Sequence, residues 1–305
     1  MTPRTAKNRP YRACGEDHAL DDSARAAVDG SFVRLSDGIT HYRLAGPADG
    51  PLTVLTPGLT IPLGYWDDTA GHLHRRGLRT LSYSAYGRGW SDRITGPYDL
   101  RLFQRQLAEL LDATAAGPAQ HLVGASMGAL IALTHLTTPA TAAPRSLTLI
   151  GPAGFAAPNP GLQRLLRCPA LARHTGMHLG RRILAQHARH NVRTPEDAQR
   201  LTRLLAAPAR FEGTVHAVLT TLRDVPLHHG HDLYRTAGKL HVPTMLLWGR
   251  HDHITPIDQL PTVTDLLHPR STHILDDHGH MLPFEAPAAT AGHIADFATE
   301  NPPAP

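Results

Sequence analysis

One stretch restricts this chain more than any other: His121-Leu122-Val123-Gly124-Ala125-Ser126-Met127-Gly128-Ala129-Leu130. An apolar run ends in Gly-x-Ser-x-Gly, and residues of helical composition follow, through Ile131, Ala132 and Leu133. That order reads as strand, sharp turn, helix. A serine there sits at the tip of a strained turn with its hydroxyl clear of the sheet. Gly124 and Gly128 are required because a side chain at either place would strike the neighbouring strand or helix. The helix that follows aims its N-terminal N–H groups at the hydroxyl, where an oxyanion would form.

The rest of the chain supplies the sheet that such a turn needs. Ser31–Leu35 and Ile39–Leu44 alternate around Asp37-Gly38 and read as a β-hairpin. Buried-type strands are expected at Leu52–Thr56, Leu78–Tyr83, Ser146–Gly151, Thr244–Trp248 and Thr272–Leu275. Helices are expected from about Trp66 to Arg76, after an N-cap at Asp99, and from about Ala286 to Thr299. Strands alternating with helices at this spacing make an α/β fold with a mostly parallel central sheet and flanking helices. The alternation stops between Gly154 and Leu240, where Pro, Arg, His and Leu dominate and leucines recur at helical spacing. The expected organisation is therefore an N-terminal arm over 1–30, a core of 31–153 and 241–300, and a helical cap over 154–240. The arm shows no sustained period, with a short helix expected near Ser23–Ala27.

Composition excludes several classes of function. At 41% hydrophobic residues the chain can bury a sizeable core, and no apolar run approaches the length of a membrane span. Its 30 Lys and Arg against 26 Asp and Glu are scattered rather than gathered into a basic tract, so no nucleic-acid partner is expected. Only Cys14 and Cys168 occur, without metal or disulfide spacing, and the first 30 residues lack a signal-peptide core. These features point to a cytoplasmic protein with a small-molecule substrate. The cluster His228-His229-Gly230-His231-Asp232 reads as a solvated loop, since adjacent histidines in an extended stretch diverge. No metal and no cofactor are expected.

Serine becomes a nucleophile only beside a base, and the base needs an acceptor that fixes its tautomer. Both candidates follow strands. Asp252 lies in Gly249-Arg250-His251-Asp252, and His280 in Gly279-His280-Met281-Leu282-Pro283-Phe284-Glu285-Ala286-Pro287. Ser, Asp, His is the chain order expected where a nucleophile turn precedes both partners on such a sheet. With Pro57-Gly58 and Gly87-Arg88-Gly89-x-Ser91, these motifs resemble the α/β-hydrolase fold superfamily, in its capped serine esterase and lipase-like branch. The resemblance runs from about residue 31 to 300.

What the resemblance implies is a serine hydrolase of esters, lactones or thioesters of small to medium apolar substrates. Ser126, Asp252 and His280 would form the catalytic triad, and Gly-His before Glu-x-Pro favours His280 over His278. The N–H groups of Leu59 and Met127 would form the oxyanion hole, and Thr60, Ile61, Trp66 and Leu219 would contact the substrate. Two positions depart from the family. Pro57 stands where a histidine commonly braces the oxyanion loop, and Ser84 where an aspartate commonly follows the fourth strand. The same triad would also serve a carbon–carbon bond hydrolase, or a non-hydrolytic lyase or cyclase step. A ligand-binding protein with a residual site is the remaining alternative.

Overall fold

A computed structural model describes residues 10–139, 141–157 and 159–301. The first nine residues of the expected arm, and the Pro-rich tail after Asn301, lie outside the described residues. The strands are β1 (Ser31–Arg34), β2 (Ile39–Ala45), β3 (Leu52–Thr56), β4 (Arg79–Tyr83), β5 (His121–Ala125), β6 (Ser146–Ile150), β7 (Thr244–Gly249) and β8 (Ser271–Leu275). They form one sheet in the order β1-β2-β4-β3-β5-β6-β7-β8. Only β1 with β2 and β2 with β4 pair antiparallel; every other pair is parallel. Asp37-Gly38 turns the first hairpin, closed by the Leu35 N–H donating to the Gly38 carbonyl at 2.9 Å.

The helices are α1 (Asp22–Ala26), α2 (Asp67–Arg75), α3 (Leu100–Thr114), α4 (Met127–Thr137), α5 (Pro160–Arg167), α6 (Pro169–His190), α7 (Pro195–Ala206), α8 (Thr214–Asp224), α9 (His231–Gly238), α10 (Leu260–Leu267), α11 (Leu282–Glu285) and α12 (Pro287–Glu300). Successive strand residues face opposite layers, as the pleat requires. Val54, Leu122, Leu149 and Leu246 pack into one apolar layer with α3, α4, α9 and α10. Their neighbours Leu55, Val123, Ile150 and Leu247 pack into the other with α2 and α12. A strand buried on both faces reads as a continuous apolar run, which is why these were visible in the sequence.

Between β6 and β7 the described residues make α5 to α9 and no strand. Although α9 belongs to this stretch, its Tyr234 and Ala237 pack into the sheet-side layer beside α4, so α5 to α8 carry the insertion proper. Residues 10–21 are packed rather than loose. Tyr11 and Ala13 join Leu166, Val215 and Leu219 in an apolar cluster of their own, and α1 begins on an Asp21 N-cap.

Candidate active site

All three chemistry-bearing side chains sit where the parallel strands end. β5 runs directly into Ser126, whose backbone adopts φ 55° and ψ −121°, a conformation that costs about 1–3 kcal/mol. Two contacts fix it there. The Ser126 N–H donates to the Ile150 carbonyl of β6 at 2.9 Å, and its carbonyl accepts from the Ala153 N–H at 3.2 Å. A Cβ on Gly128 would stand 2.5 Å from the Thr56 carbonyl oxygen, so only glycine lets α4 approach β3 this closely. Thr56 Oγ1 lies between strand and helix, within 2.8 Å of the Gly128 carbonyl and 3.0 Å of the Val123 carbonyl.

Asp252 follows β7 and His280 follows β8. The pairing of these strands brings Gly249 opposite Leu275 and so sets the two loops side by side. His280 Nδ1 lies 2.7 Å from Asp252 Oδ2, and both side chains are buried. A carboxylate only accepts, so the hydrogen is assigned to Nδ1, which leaves Nε2 free to take a proton. The carboxylate is fully engaged. Its Oδ1 accepts from the N–H groups of Ile254 and Thr255, each at 2.8 Å, and Thr255 Oγ1 donates to Oδ2 at 2.7 Å. Glu285 braces the other loop, accepting from the N–H of Gly279 at 3.0 Å and of Met281 at 2.9 Å.

Ser126 and His280 line one cavity of about 140 Å³, with Gly58, Leu59, Thr60, Ile61 and Met127 in its wall. The Met127 N–H opens α4 and has no acceptor within the helix. Leu59 lies on the loop after β3, and Arg88 pins that loop by donating from Nε to the Leu59 carbonyl at 2.6 Å. Arg88 also donates to the Tyr86 carbonyl at 2.9 Å and to Thr221 Oγ1 of α8 at 2.8 Å. Burial pulls its guanidinium down to about 9, so it stays cationic at neutral pH. Arg88 thus braces the loop that carries Pro57 and Leu59. Ser84, the second departure, also braces, since its Oγ accepts from the Leu63 N–H at 2.9 Å.

Two of the expected substrate contacts, Trp66 and Leu219, lie outside the wall of this cavity. Trp66 has no exposed surface and packs with Leu55, Leu73 and Ile294 against the sheet. Its neighbour Tyr65, whose ring meets that of Trp66 edge-on at 5.2 Å, lines the cavity instead. Leu219 joins the apolar cluster of Tyr11 and Leu166; on the same helix Leu222 packs against that cluster and also lines the cavity. Thr60 and Ile61 line it. Sequence reasoning missed Thr255 and Asn191. Asp252-x-x-Thr255 is a pattern of side chains that close turns on their own backbone, and that signal could have marked Thr255. Nothing in the sequence singles out Asn191. Among the described residues no group of three or more His, Cys, Asp or Glu is gathered as a cation would need.

The family model described as "Alpha/beta hydrolase family" matches residues 53–293. RutD of Variovorax paradoxus (strain S110), a protein named for carbamate hydrolysis, is 36% identical over 94 residues, covering 30% of this chain and 35% of its own. Monoacylglycerol lipase ABHD6 of Mus musculus is 26% identical over 196 residues, 58% of this chain and 54% of its own. The chain therefore spans about a third and about half the length of these curated relatives. The structure of a thermophilic esterase from Thermogutta terrifontis superposes with a TM-score of 0.73 at 20% identity, covering 89% of this chain and 99% of that one. No helix among the described residues is long and apolar enough to cross a membrane.

Proposed function

Since this chain belongs to the alpha/beta hydrolase family, we propose that it is a serine hydrolase cleaving an ester, lactone or thioester of a small to medium apolar substrate. The observation that carries the reading is the His280–Asp252 bond of 2.7 Å, with His280 and Ser126 in the wall of one cavity. Ser126 Oγ attacks the carbonyl carbon while His280 Nε2 takes its proton. Asp252 holds the ring in the tautomer that leaves Nε2 open and stabilises the imidazolium that forms. The oxyanion is held by the Leu59 and Met127 N–H groups, each such donor contributing about 3–4 kcal/mol to barrier lowering. His280 then protonates the leaving group, and a water activated by the same Nε2 releases the acid and restores Ser126.

The stretch 154–240 acts in this reading as a cap. It is supported by Ala156, Asn191 and Leu222, which come from that stretch and share the cavity with Ser126. A roof of this kind excludes water and gives apolar wall to the substrate. No cofactor enters the scheme. A cytoplasmic location belongs to the same reading, supported by Cys14 and Cys168 standing as free, exposed thiols.

The test is covalent labelling. A fluorophosphonate should attach to Ser126, located by peptide mass spectrometry, and Ser126→Ala should abolish both labelling and hydrolysis of p-nitrophenyl esters while leaving the melting temperature near that of the parent. Activity of the variant above about a thousandth of the starting rate would remove Ser126 from the nucleophile's role.

A further inference from the structure

Beside the cavity that holds Ser126 lies a larger one, of about 380 Å³ against about 140 Å³. Thr60, next to the oxyanion loop's Leu59, stands in the wall of both. The second cavity is enclosed largely by α6, α7, α8 and the turn over Pro208–Arg210, with Leu184, Leu205 and Val218 giving it an apolar lining. Its wall also carries Arg88, Arg181, Arg189 and Arg210, and among the described residues contains no Asp or Glu.

The four guanidinium groups are not equivalent. Arg210 is neutralised, since Asp17 accepts from its Nε at 2.9 Å and its Nη2 at 2.8 Å. Arg181 donates to the carbonyl of Gly15, and buried Arg88 donates only to neutral oxygens. Arg189 has no hydrogen bond or ion pair with a described residue. Three of the four cations therefore lack a carboxylate partner. Arg181, Ala185 and Arg189 all line the cavity at four-residue spacing, so α6 turns one face toward it with a cation at each end. Arg189 and Thr202 also line an open surface depression, which places Arg189 at the outer end.

An apolar chamber with unmatched guanidinium groups and no acid fits one chemical class. We propose that this cavity receives an arm of the substrate that is apolar along its length and ends in a carboxylate, held by Arg189 with Arg181 on α6. The arm enters past Thr60 and runs along Leu205 and Val218. Guanidinium groups pair with carboxylates in a planar fork, and such charge-assisted bonds are about twice as strong as neutral ones. The inference rests on the proposed serine chemistry only for which end of the substrate reacts.

Two fluorophosphonates with octyl chains, one ending in methyl and one in carboxylate, test this with the full chain. The carboxylate-tipped probe should label at least about tenfold faster, the ratio one charge-assisted bond sustains. Arg189→Gln should bring the two rates toward parity while a short ethyl probe labels the variant as it labels the parent. Equal rates in the parent chain, or faster labelling by the methyl-tipped probe, overturn the inference. If no fluorophosphonate labels at all, the serine reading fails by itself, and calorimetric titration with octanoate and octanamide decides the cavity. Octanoate bound about tenfold more tightly, with the difference lost in Arg189→Gln, upholds the arm site. Equal affinities, or no binding of either, overturn it.

Discussion

Asp252 accepts four hydrogen bonds, and Thr255 supplies two of the donors, one from its backbone and one from its hydroxyl. The hydroxyl also stands 3.3 Å from His280 Nδ1, so it fills the space into which the carboxylate could otherwise swing. Thr255→Val keeps the shape and removes that donor. The expected result is a kcat lowered about tenfold with little change in KM, a loss of about 1.4 kcal/mol, and recovery in Thr255→Ser. Unchanged kcat in the valine variant would make the hydroxyl merely structural. The neighbouring histidines give a sharper contrast. His280 holds Asp252, whereas no hydrogen-bond partner meets the buried Nδ1 of His278 among the described residues. Accordingly His280→Ala should lose at least about a thousandfold in turnover and His278→Ala only a few fold; the opposite ranking would move the base to residue 278. At this scale Ser126, Asp252 and His280 stood out as candidates because each follows a strand and has a glycine within three residues, Gly124, Gly249 and Gly279. That Trp66 and Leu219 would be absorbed into apolar clusters was not legible, because their packing partners lie far away in the sequence, Phe284 and Ile294 for the first and Tyr11 and Leu166 for the second.

Elements differ in how much of their setting they carry. The central strands were readable because both faces are buried. The 22-residue α6 was not, because Gly176 and Gly180 interrupt its composition. Packing explains those glycines: a Cβ on Gly176 would stand 2.0 Å from the Tyr11 hydroxyl, and one on Gly180 would stand 2.3 Å from a Val215 methyl. They let α6 close on residues 10–21 and α8, contacts that no local pattern announces. A second inter-element tie is Arg88. Thr221 Oγ1 of α8 donates to the Ala217 carbonyl at 2.8 Å, so toward Arg88 it accepts. The guanidinium thereby couples the insertion to the loop that presents Leu59. Arg88→Lys keeps a cation but loses the rigid fork that reaches three acceptors at once. It should lower kcat more than tenfold with a smaller effect on KM, because in the proposed mechanism the loop's N–H acts on the transition state. Thr221→Val, which removes one of the three acceptors, should cost only a few fold. A lysine variant with full kcat would detach the oxyanion loop from this tie.

Over the whole molecule, folding is tied to protonation at buried histidines. Glu16 is fully buried and accepts from the N–H groups of Ala13, Gly213 and Val215 at 2.8, 2.9 and 2.6 Å. A carboxylate at the start of α8 also meets the positive end of the helix dipole, so residues 10–21 help hold the insertion in place. Histidines dominate the response to mild acid. Burial pulls His121, whose Nδ1 lies 2.8 Å from Ser146 Oγ between β5 and β6, down to about 4, and does the same to His216 on α8. His41, His74, His135 and His293 are lowered as well, each chiefly by burial. In the unfolded chain these groups titrate near 6.5. Between about 6.5 and 4 the unfolded state therefore binds protons that the native state refuses, and stability must fall as pH falls through that window. For His121 and His216 the loss at pH 5.5 is on the order of 1 kcal/mol each. Carboxylates ordinarily titrate near 4, so the upper part of the window belongs to the histidines. Urea midpoints measured at half-unit steps from pH 7.5 to 4.5 should hold steady above about pH 7 and then decline. The decline should be shallower in a His121→Gln, His216→Gln double variant, whose side chains bind no proton in either state. A midpoint that stays flat down to pH 5, or an equally steep decline in the double variant, would show that these two histidines are not held neutral by the fold.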